Sequence, residues 1–417
     1  MKIILTSIGT RGDMEPFLAL GEILKEKGHK VICLFPEQFR NLAEESGLEF
    51  ASLGPEFLDM LDTPSGRLIM SGGKFSIKKL KAYLNLISIQ GPVNKKMVLK
   101  QEAVILKEQP DKILHNGKVI YPVVWSLKNK GKTILITPVP YMHYVKDHAH
   151  LGFNKNFGRF FNKYSYKIAN YGLLKTIMGS VKSLSLDRKI RQKEIQDALF
   201  SNKAIYTISP TLFKRPDYWN DNLQVLGYHE RKKTNHWKPD QELLSYLNNH
   251  SKIILVTFGS MINDAPKEKT DLILKVLRDN KIPAIINTAS GGMVKPTIYD
   301  SELFHFVKRI PYDWIFPKMH AVVHHGGSGT THTTLKYGCS TLIIPHIIDQ
   351  YVWNKIVYKK GAGPLGLDIS QINGKNLEPL ILDLVNNDKY KQRAEEIALE
   401  MKGEDFRERI YEEIIDN

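Results

Sequence analysis

Short β-rich apolar runs alternate with helical segments along this chain, and that alternation constrains its fold more than any other feature. Residues 3–8 (IILTSI) lead into GTRGD. Residues 15–27 follow, with Phe17, Leu18, Leu20, Ile23 and Leu24 at helical spacing, and then GHK and a second run at 31–35 (VICLF). A buried run, a glycine turn, an amphipathic helix and another buried run make a βαβ unit. Further runs at 112–115 (KILH), 133–137 (TILIT), 204–209 (AIYTIS) and 225–226 extend the pattern. Residues 214–250 mix Pro, Asn, Asp, Trp and Lys with little periodicity, as linkers do. The pattern then restarts with strands at 253–258 (IILVTF), 284–287, 321–324 and 341–344 and a helix through 272–278, and a charged helical segment runs from Lys389 to the end. The expectation is an α/β protein of two Rossmann-like domains, 1–215 and 251–417, joined by a linker region at 216–250. The C-terminal helical segment closes the molecule. A length of 417 residues suits this, being well past the roughly 250–300 at which one core stops growing. A ligand held between two such domains faces the C-terminal ends of both sets of strands.

Composition removes several classes. Cys33 and Cys339 are the only cysteines and sit in apolar stretches of different halves, so no disulfide framework and no CxxC zinc site can be built. A reducing cytoplasm is the natural compartment. No apolar run approaches the roughly 18 residues of a membrane span, and the apolar patch of the N-terminal MKIILTSIG is too short for a signal sequence. Charge is uneven: 59 Lys and Arg against 44 Asp and Glu overall, but 32 against 18 within residues 1–210. The basic excess belongs to the first half. Nucleic acid, an anionic membrane and an acidic substrate all suit such a field; no nucleic-acid module appears, which sets the first aside.

Four loops carry chemistry. VVHHGGSGTT (322–331) puts His324 and His325 at a strand end, then Gly326, Gly327 and Gly329 around Ser328, with Thr330 and Thr331 opening a helix. Converging backbone N–H groups, small side chains and a helix N-terminus suit a phosphate. Gly259 and Ser260 repeat the arrangement more weakly after the run at 253–258. Neither loop fits the dinucleotide G-x-G-x-x-G or the P-loop pattern, which disfavours an oxidoreductase or a nucleoside triphosphatase. In GTRGD, Gly9 and Gly12 make a tight turn and Asp13 is either a general base at a strand end or the cap of the following helix. In PHIIDQ, Asp349 and Gln350 offer an acceptor and a donor suited to vicinal hydroxyls, or form a plain surface turn. His143, His148 and His150 follow the PVPY turn and are weaker candidates.

GTRGDMEPFLALG, IPYDWIFPKMHAVVHHGGSGTT and PHIIDQ, in that order, resemble the inverting GT-B glycosyltransferases that include sterol glucosyltransferases and the vancomycin-type antibiotic glycosyltransferases. The resemblance spans both halves but anchors no motif between about 51 and 200. It implies the GT-B fold, with Asp13 as catalytic base and Gly9 and Thr10 near the donor phosphates. It further implies His324 donating to a diphosphate in a cradle of Gly326, Gly327, Ser328, Gly329 and Thr330. Gly259 and Ser260 become a second donor loop, Asp349 and Gln350 the pair on sugar hydroxyls, and His325 a packing residue. Where the plant-type signature stacks a tryptophan on the base this chain has Arg309, and where it places a ribose-binding glutamate it has His332, so UDP and dTDP both stay open. Trp314 reads as a packed aromatic.

The implied reaction transfers a hexose, glucose first, from UDP-glucose or a dTDP-sugar to a hydrophobic acceptor such as a sterol, lipid alcohol or natural-product aglycone. It inverts the anomeric centre and uses neither metal nor other cofactor. A GT-B-like sugar-nucleotide epimerase, or a binder of nucleotide sugars or lipids without catalysis, are the alternatives. Residues 63–101 hold no acid but interleave Arg67, Lys74, Lys78, Lys79 and Lys81 with Phe75, Ile77, Leu80, Tyr83 and Leu84; Lys155, Arg159, Lys163 and Lys167 step by four beside Phe157, Phe160, Phe161 and Tyr164. Either these stretches line the acceptor entrance and touch an anionic membrane, which would make the protein peripheral at the inner face, or their apolar sides are ordinary core.

Overall fold

The computed structural model describes every residue except 73–75, 154, 233–236, 262, 264, 290 and 417. Lys74 and Phe75 of the first basic stretch lie outside the described residues. The chain divides into two compact units.

The first unit comprises Met1–Thr63, Leu84–Lys233 and Asp405–Asn417. Its described strands are β1 (Lys2–Thr6), β2 (Lys30–Phe35), β3 (Glu49–Ser52), β4 (Lys112–His115), β5 (Thr133–Thr137), β6 (Lys203–Tyr206) and β7 (Leu223–Val225). They form one sheet in the order β3-β2-β1-β4-β5-β6-β7, and every pairing is parallel. The second unit comprises Pro64–Tyr83 and Thr234–Glu404. Its strands β8 (Ile254–Thr257), β9 (Ala284–Asn287), β10 (Phe304–Val307), β11 (Ala321–His324) and β12 (Ser340–Ile343) lie in the order β10-β9-β8-β11-β12, again all parallel. Two parallel sheets with flanking helices are the α/β architecture that the alternation predicts.

Parallel sheets covered on both faces read as continuous apolar runs, and the central strands do: Ile3, Ile4 and Leu5 of β1 and Val322 and Val323 of β11 have no exposure. The two strands that the sequence hides, β3 and β10, are both sheet edges. Their residues EFAS and FHFV are mostly half-buried, so neither carries the run that marks a central strand.

The helix after β1 spans Arg11–Glu26, four residues earlier than its apolar spacing suggests. The start is set by Asp13, whose Oδ2 accepts the N–H of the N-cap residue Thr10 at 2.8 Å. The region expected as linker contains β7 and the helix Gln241–Asn249, whose first turn is capped by Asp240 accepting from the Leu243 N–H at 2.8 Å.

The C-terminal segment is two helices, Asp388–Lys402 in the second unit and Arg407–Ile415 in the first. In the latter, Ile410 and Ile414 are fully buried in the core with Ile3, Leu5, Phe17 and Leu226. Lys203 Nζ donates to the Glu413 carbonyl at 2.9 Å and Lys112 Nζ to that of Asp416 at 2.5 Å. Cations on the last carbonyls complement the dipole of this helix end. Among the described residues no helix is long and apolar enough to cross a membrane.

Truncating Ile410 and Ile414 to Ala should destabilise the first unit by about 2–5 kcal/mol per site. Urea unfolding followed by circular dichroism would show a lowered midpoint, and an unchanged curve would mean that this helix is not part of that core.

Candidate functional site

In an open parallel sheet, ligands bind beyond the carboxyl ends of the strands where the strand order reverses. In the second unit that place lies between β8 and β11, since the chain leaves β8 toward β9 on one side and β11 toward β12 on the other. Gly259 follows β8, the turn 325–327 follows β11, and residues 344–347 follow β12, so three of the four expected loops stand side by side.

His324 ends β11, paired with Thr257 of β8 and Ile343 of β12. It is completely buried. Its Nδ1 accepts the Gly326 N–H at 3.0 Å, which puts the ring proton on Nε2. That Nε2 has no partner among the described residues. Burial pushes the imidazole down to about 3, so His324 is a neutral N–H donor at ordinary pH. A buried donor without an acceptor costs about 1–3 kcal/mol, which a ligand oxygen would relieve.

His325 is also buried, and desolvation, then the neighbouring His324 and His346, hold it well below the usual imidazole range. Its ring explains two glycines. A Cβ on Gly259 would lie 2.8 Å from His325 Cε1, and one on Gly327 2.5 Å from its Nε2. Gly326, at φ +90°, would press a Cβ to 2.6 Å from Ile343 Cγ2. The glycines thus pack the second histidine as well as opening the turn.

The helix Ser328–Lys336 begins here with Gly327 at its N-cap, a residue with no side chain to cap with. Its first-turn residues Ser328, Gly329 and Thr330 begin just past the His324 turn. His332, in the place of the plant-type glutamate, is completely buried. Its Nδ1 donates to the Ser328 carbonyl at 2.8 Å, and its ring meets Trp353 edge-on at 4.9 Å. This helix therefore offers a ribose no carboxylate. Trp314 packs on Trp237 at 4.9 Å beside the core, and Arg309 is exposed.

Asp349 and Gln350 do not form a surface turn. They open the helix Ile348–Lys360, where Gln350 Oε1 accepts the N–H groups of His346 at 2.7 Å and Ile347 at 3.1 Å. What Gln350 can offer a sugar is its Nε2 donor. Asp349 is half-buried, while Ser260 is exposed after β8. One neighbour escaped the sequence reading: a Cβ on Gly72 would sit 2.4 Å from the His346 carbonyl oxygen, and Met70 packs on the core of this unit. Nothing local in PSGRLIMSG announces that approach.

The first unit repeats the geometry. Its strand order reverses between β1 and β4, and the loops after these strands bond to each other. Asn116 Nδ2 donates to Ser7 Oγ at 2.9 Å and to the Ile8 carbonyl at 2.8 Å. Lys118 Nζ donates to Asp13 Oδ1 at 2.8 Å. With the Thr10 N–H on Oδ2, both carboxylate oxygens are fixed, and the side chain stays 25% exposed. Gly9 is forced by the same carboxylate, since a Cβ there would fall 2.1 Å from Asp13 Oδ2. Capping and the strand-end placement therefore coexist in Asp13. Sequence reasoning missed Asn116 and Lys118, although HNGK directly after an apolar run is a strand-end loop signal.

His143, His148 and His150 join an aromatic cluster instead of converging. His143 Nδ1 is 2.7 Å from the Tyr206 hydroxyl, His148 stacks on Tyr141 at 3.9 Å, and His150 meets Tyr166 edge-on at 5.5 Å.

Comparison with known proteins finds two family models, one in each half of the chain. The glycosyltransferase family 28 N-terminal domain matches residues 3–135, and the erythromycin biosynthesis protein CIII-like C-terminal domain matches residues 301–416. The chain is similar to the GT-B glycosyltransferases of the sterol and antibiotic glycosyltransferase group. Among similar proteins, sterol 3-beta-glucosyltransferase UGT80B1 of Arabidopsis thaliana is 27% identical over 97% of this chain and 66% of its own length. The sterol 3-beta-glucosyltransferase of Komagataella phaffii is 25% identical over 97% of this chain and 33% of its own. The chain thus spans about two thirds of the plant relative and one third of the yeast one. Among solved GT-B structures, the calicheamicin glycosyltransferase CalG4 superposes with a TM-score of 0.70 at 12% identity, covering 99% of this chain and 97% of that one. The glycotransferase of kitacinnamycin gives 0.68 at 15%, covering 99% of each. These likenesses show the fold.

Buried neutral histidines tie the stability of this chain to pH. Burial pushes His115, His143, His150 and His332 down to about 4, as it pushes His324 to about 3. Their unfolded value is near 6.5. Between the two the unfolded chain binds more protons, so stability is full above about pH 6.5 and is lost as pH falls toward 4, by up to about 2 kcal/mol per histidine at pH 5. Calorimetry should show Tm falling from pH 7 to pH 5, and His332→Asn should flatten that fall; a Tm level across the range would contradict the neutral assignment.

Proposed function

We propose that this chain is an inverting glycosyltransferase that moves a hexose, glucose first, from UDP-glucose or a dTDP-sugar to a hydroxyl of a hydrophobic acceptor such as a sterol, with Asp13 as general base and no metal. The single observation that carries the reading is His324: a buried, neutral N–H donor without an acceptor, beside the start of a helix whose N-cap has no side chain. The acceptor class is supported by the sterol glucosyltransferase names of the relatives, and a dTDP donor by the structure of the similar glycosyltransferase SsfS6 complexed with thymidine diphosphate.

The chemistry follows from charge. An acceptor hydroxyl is a weak nucleophile, and a positioned carboxylate that takes its proton during attack raises the rate about 10²–10⁴-fold. A carboxylate has roughly four acceptor sites, so Asp13 can hold Thr10 and Lys118 and still receive that proton. The acceptor oxygen bonds to the anomeric carbon as the bond to the diphosphate oxygen breaks. The electron pair leaves with the nucleoside diphosphate, and the single displacement inverts the centre. Preorganised donors aimed at developing charge are typically worth about 10²–10³ in rate each. His324 Nε2 and the amides of Ser328, Gly329 and Thr330 have that role here, with Gly326 and Gly327 shaping the turn, Gly259 and Ser260 beside it, and Gly9 and Thr10 on the acceptor-side loop. Asp349 and the Gln350 amide take the sugar hydroxyls.

Incubation with UDP-glucose and dTDP-sugars against a sterol, lipid-alcohol and polyphenol panel, read by mass, tests the reaction. Glycosylated acceptor supports it. Isomerised donor would make the protein an epimerase, and binding without turnover would make it a nucleotide-sugar binder. Asp13→Asn should lower kcat by about 10²–10⁴-fold with donor affinity little changed, and His324→Ala should lower kcat by about 10²-fold and weaken donor binding as well. Lys118→Met, which frees one oxygen of Asp13 from its partner, should cost about tenfold in kcat at unchanged donor KM. Full activity in Asp13→Asn would remove the base assignment.

A further inference from the structure

The helix Arg159–Val181 of the first unit is apolar on two sides. Asn162, Ser165, Tyr166, Leu174 and Ile177 are buried. Turned away from them, at helical spacing, are Phe160, Tyr164, Ile168 and Tyr171, which are 66%, 44%, 60% and 55% exposed, with Phe161 beside them at 64%. Ordinary core packing, one of the two readings of this stretch, therefore does not account for its aromatics. A soluble surface rarely gathers so many large apolar side chains in one place.

The charge around the stripe is nearly all of one sign, the exception being Asp147, 3.6 Å from Arg159 Nε. Residues 148–186 contain no Asp or Glu but hold Lys155, Arg159, Lys163, Lys167, Lys175 and Lys182. Two of these cations lie over stripe rings, Lys167 over Tyr164 at 5.1 Å and Lys175 over Tyr171 at 5.2 Å. Phe160 contacts Phe161 and Tyr164 at ring separations of 5.3 and 4.9 Å. Aromatic rings flanked by lysines whose stems lie along apolar surface are what an interfacial helix presents to a bilayer: rings enter the headgroup boundary and ammonium groups stay at the phosphates.

We propose that the outward face of this helix is a docking surface for an anionic lipid bilayer. A second copy of the chain is the less suitable occupant, because a self-complementary contact would set these lysines against their own copies with no acid on the stretch to answer them. The inference goes beyond the glycosyl-transfer reading and does not need it, since the surface is defined by exposure and charge alone.

Flotation of the purified chain tests it, with vesicles of phosphatidylcholine alone and of phosphatidylcholine containing about one third phosphatidylglycerol. Binding is expected on the anionic vesicles, at least tenfold above the neutral ones, and should fall as salt rises from about 0.05 to about 0.5 M. Lys163→Glu with Lys167→Glu should cost more than tenfold, at about fivefold for each basic residue lost near the surface. Phe160→Ser with Ile168→Ser should cost a similar factor while leaving the circular dichroism spectrum unchanged, since both side chains are exposed. Equal binding to both vesicle types, or binding untouched by either pair of substitutions, overturns the proposal. So does a concentration-dependent dimer in ultracentrifugation that these substitutions disperse while no vesicle binding is seen, which would assign the stripe to a second copy. Because the readout is partition and not turnover, its failure is separable from failure of the transferase reading.

Discussion

A parallel sheet covered on both faces has almost nowhere to put a polar group except at its strand ends, and that constraint governs both units. Ile3 to Leu5 and Val322 to Val323 are sealed from water. The residues that follow them must turn sharply, and the loops at the reversal point of the strand order, where open α/β sheets bind ligands, meet one another there. Gly9 to Asp13 and Asn116 to Lys118 stand at that reversal point in one unit; Gly259 and His324 to Gly327 stand at it in the other. The same rule, applied twice, yields a carboxylate loop and an N–H-rich loop.

The two loops solve opposite electrostatic problems. Around Asp13 the task is to orient a negative group, and it is met by an amide on one oxygen and an ammonium on the other. Around His324 the task is to present positive partial charge without a net charge that water would have to solvate. Burial keeps the ring neutral, the turn's own amide takes Nδ1, and Nε2–H is left as a directed dipole. A lysine in that position would bring a full charge whose desolvation costs several kcal/mol. The neutral donor avoids the cost and still meets charge as it develops.

Glycine use shows how one side chain can fix several positions. Gly259 and Gly327 both make room for His325, and Gly9 makes room for Asp13. Read alone, HHGGSGT suggests a phosphate cradle in which each glycine serves the ligand. The packing shows that part of the motif serves the second histidine. The aromatics of Arg159–Val181 teach the reverse lesson: their helical spacing resembles a core stripe, and only exposure separates the two.

The sequence by itself determined the fold class, ten of the twelve described strands to within a few residues, and the loops that bear Asp13, His324 and Gln350, because central strands and glycine turns are written in contiguous residues. Edge strands β3 and β10 were invisible, since half-burial erases the apolar run. Only tertiary structure decided that Lys118 meets Asp13 from 105 positions away, that His332 turns inward to Trp353, and that the last helix completes the first core. Each of these depends on which strands become neighbours, and strand order is a property of the folded sheet that no local stretch of residues encodes.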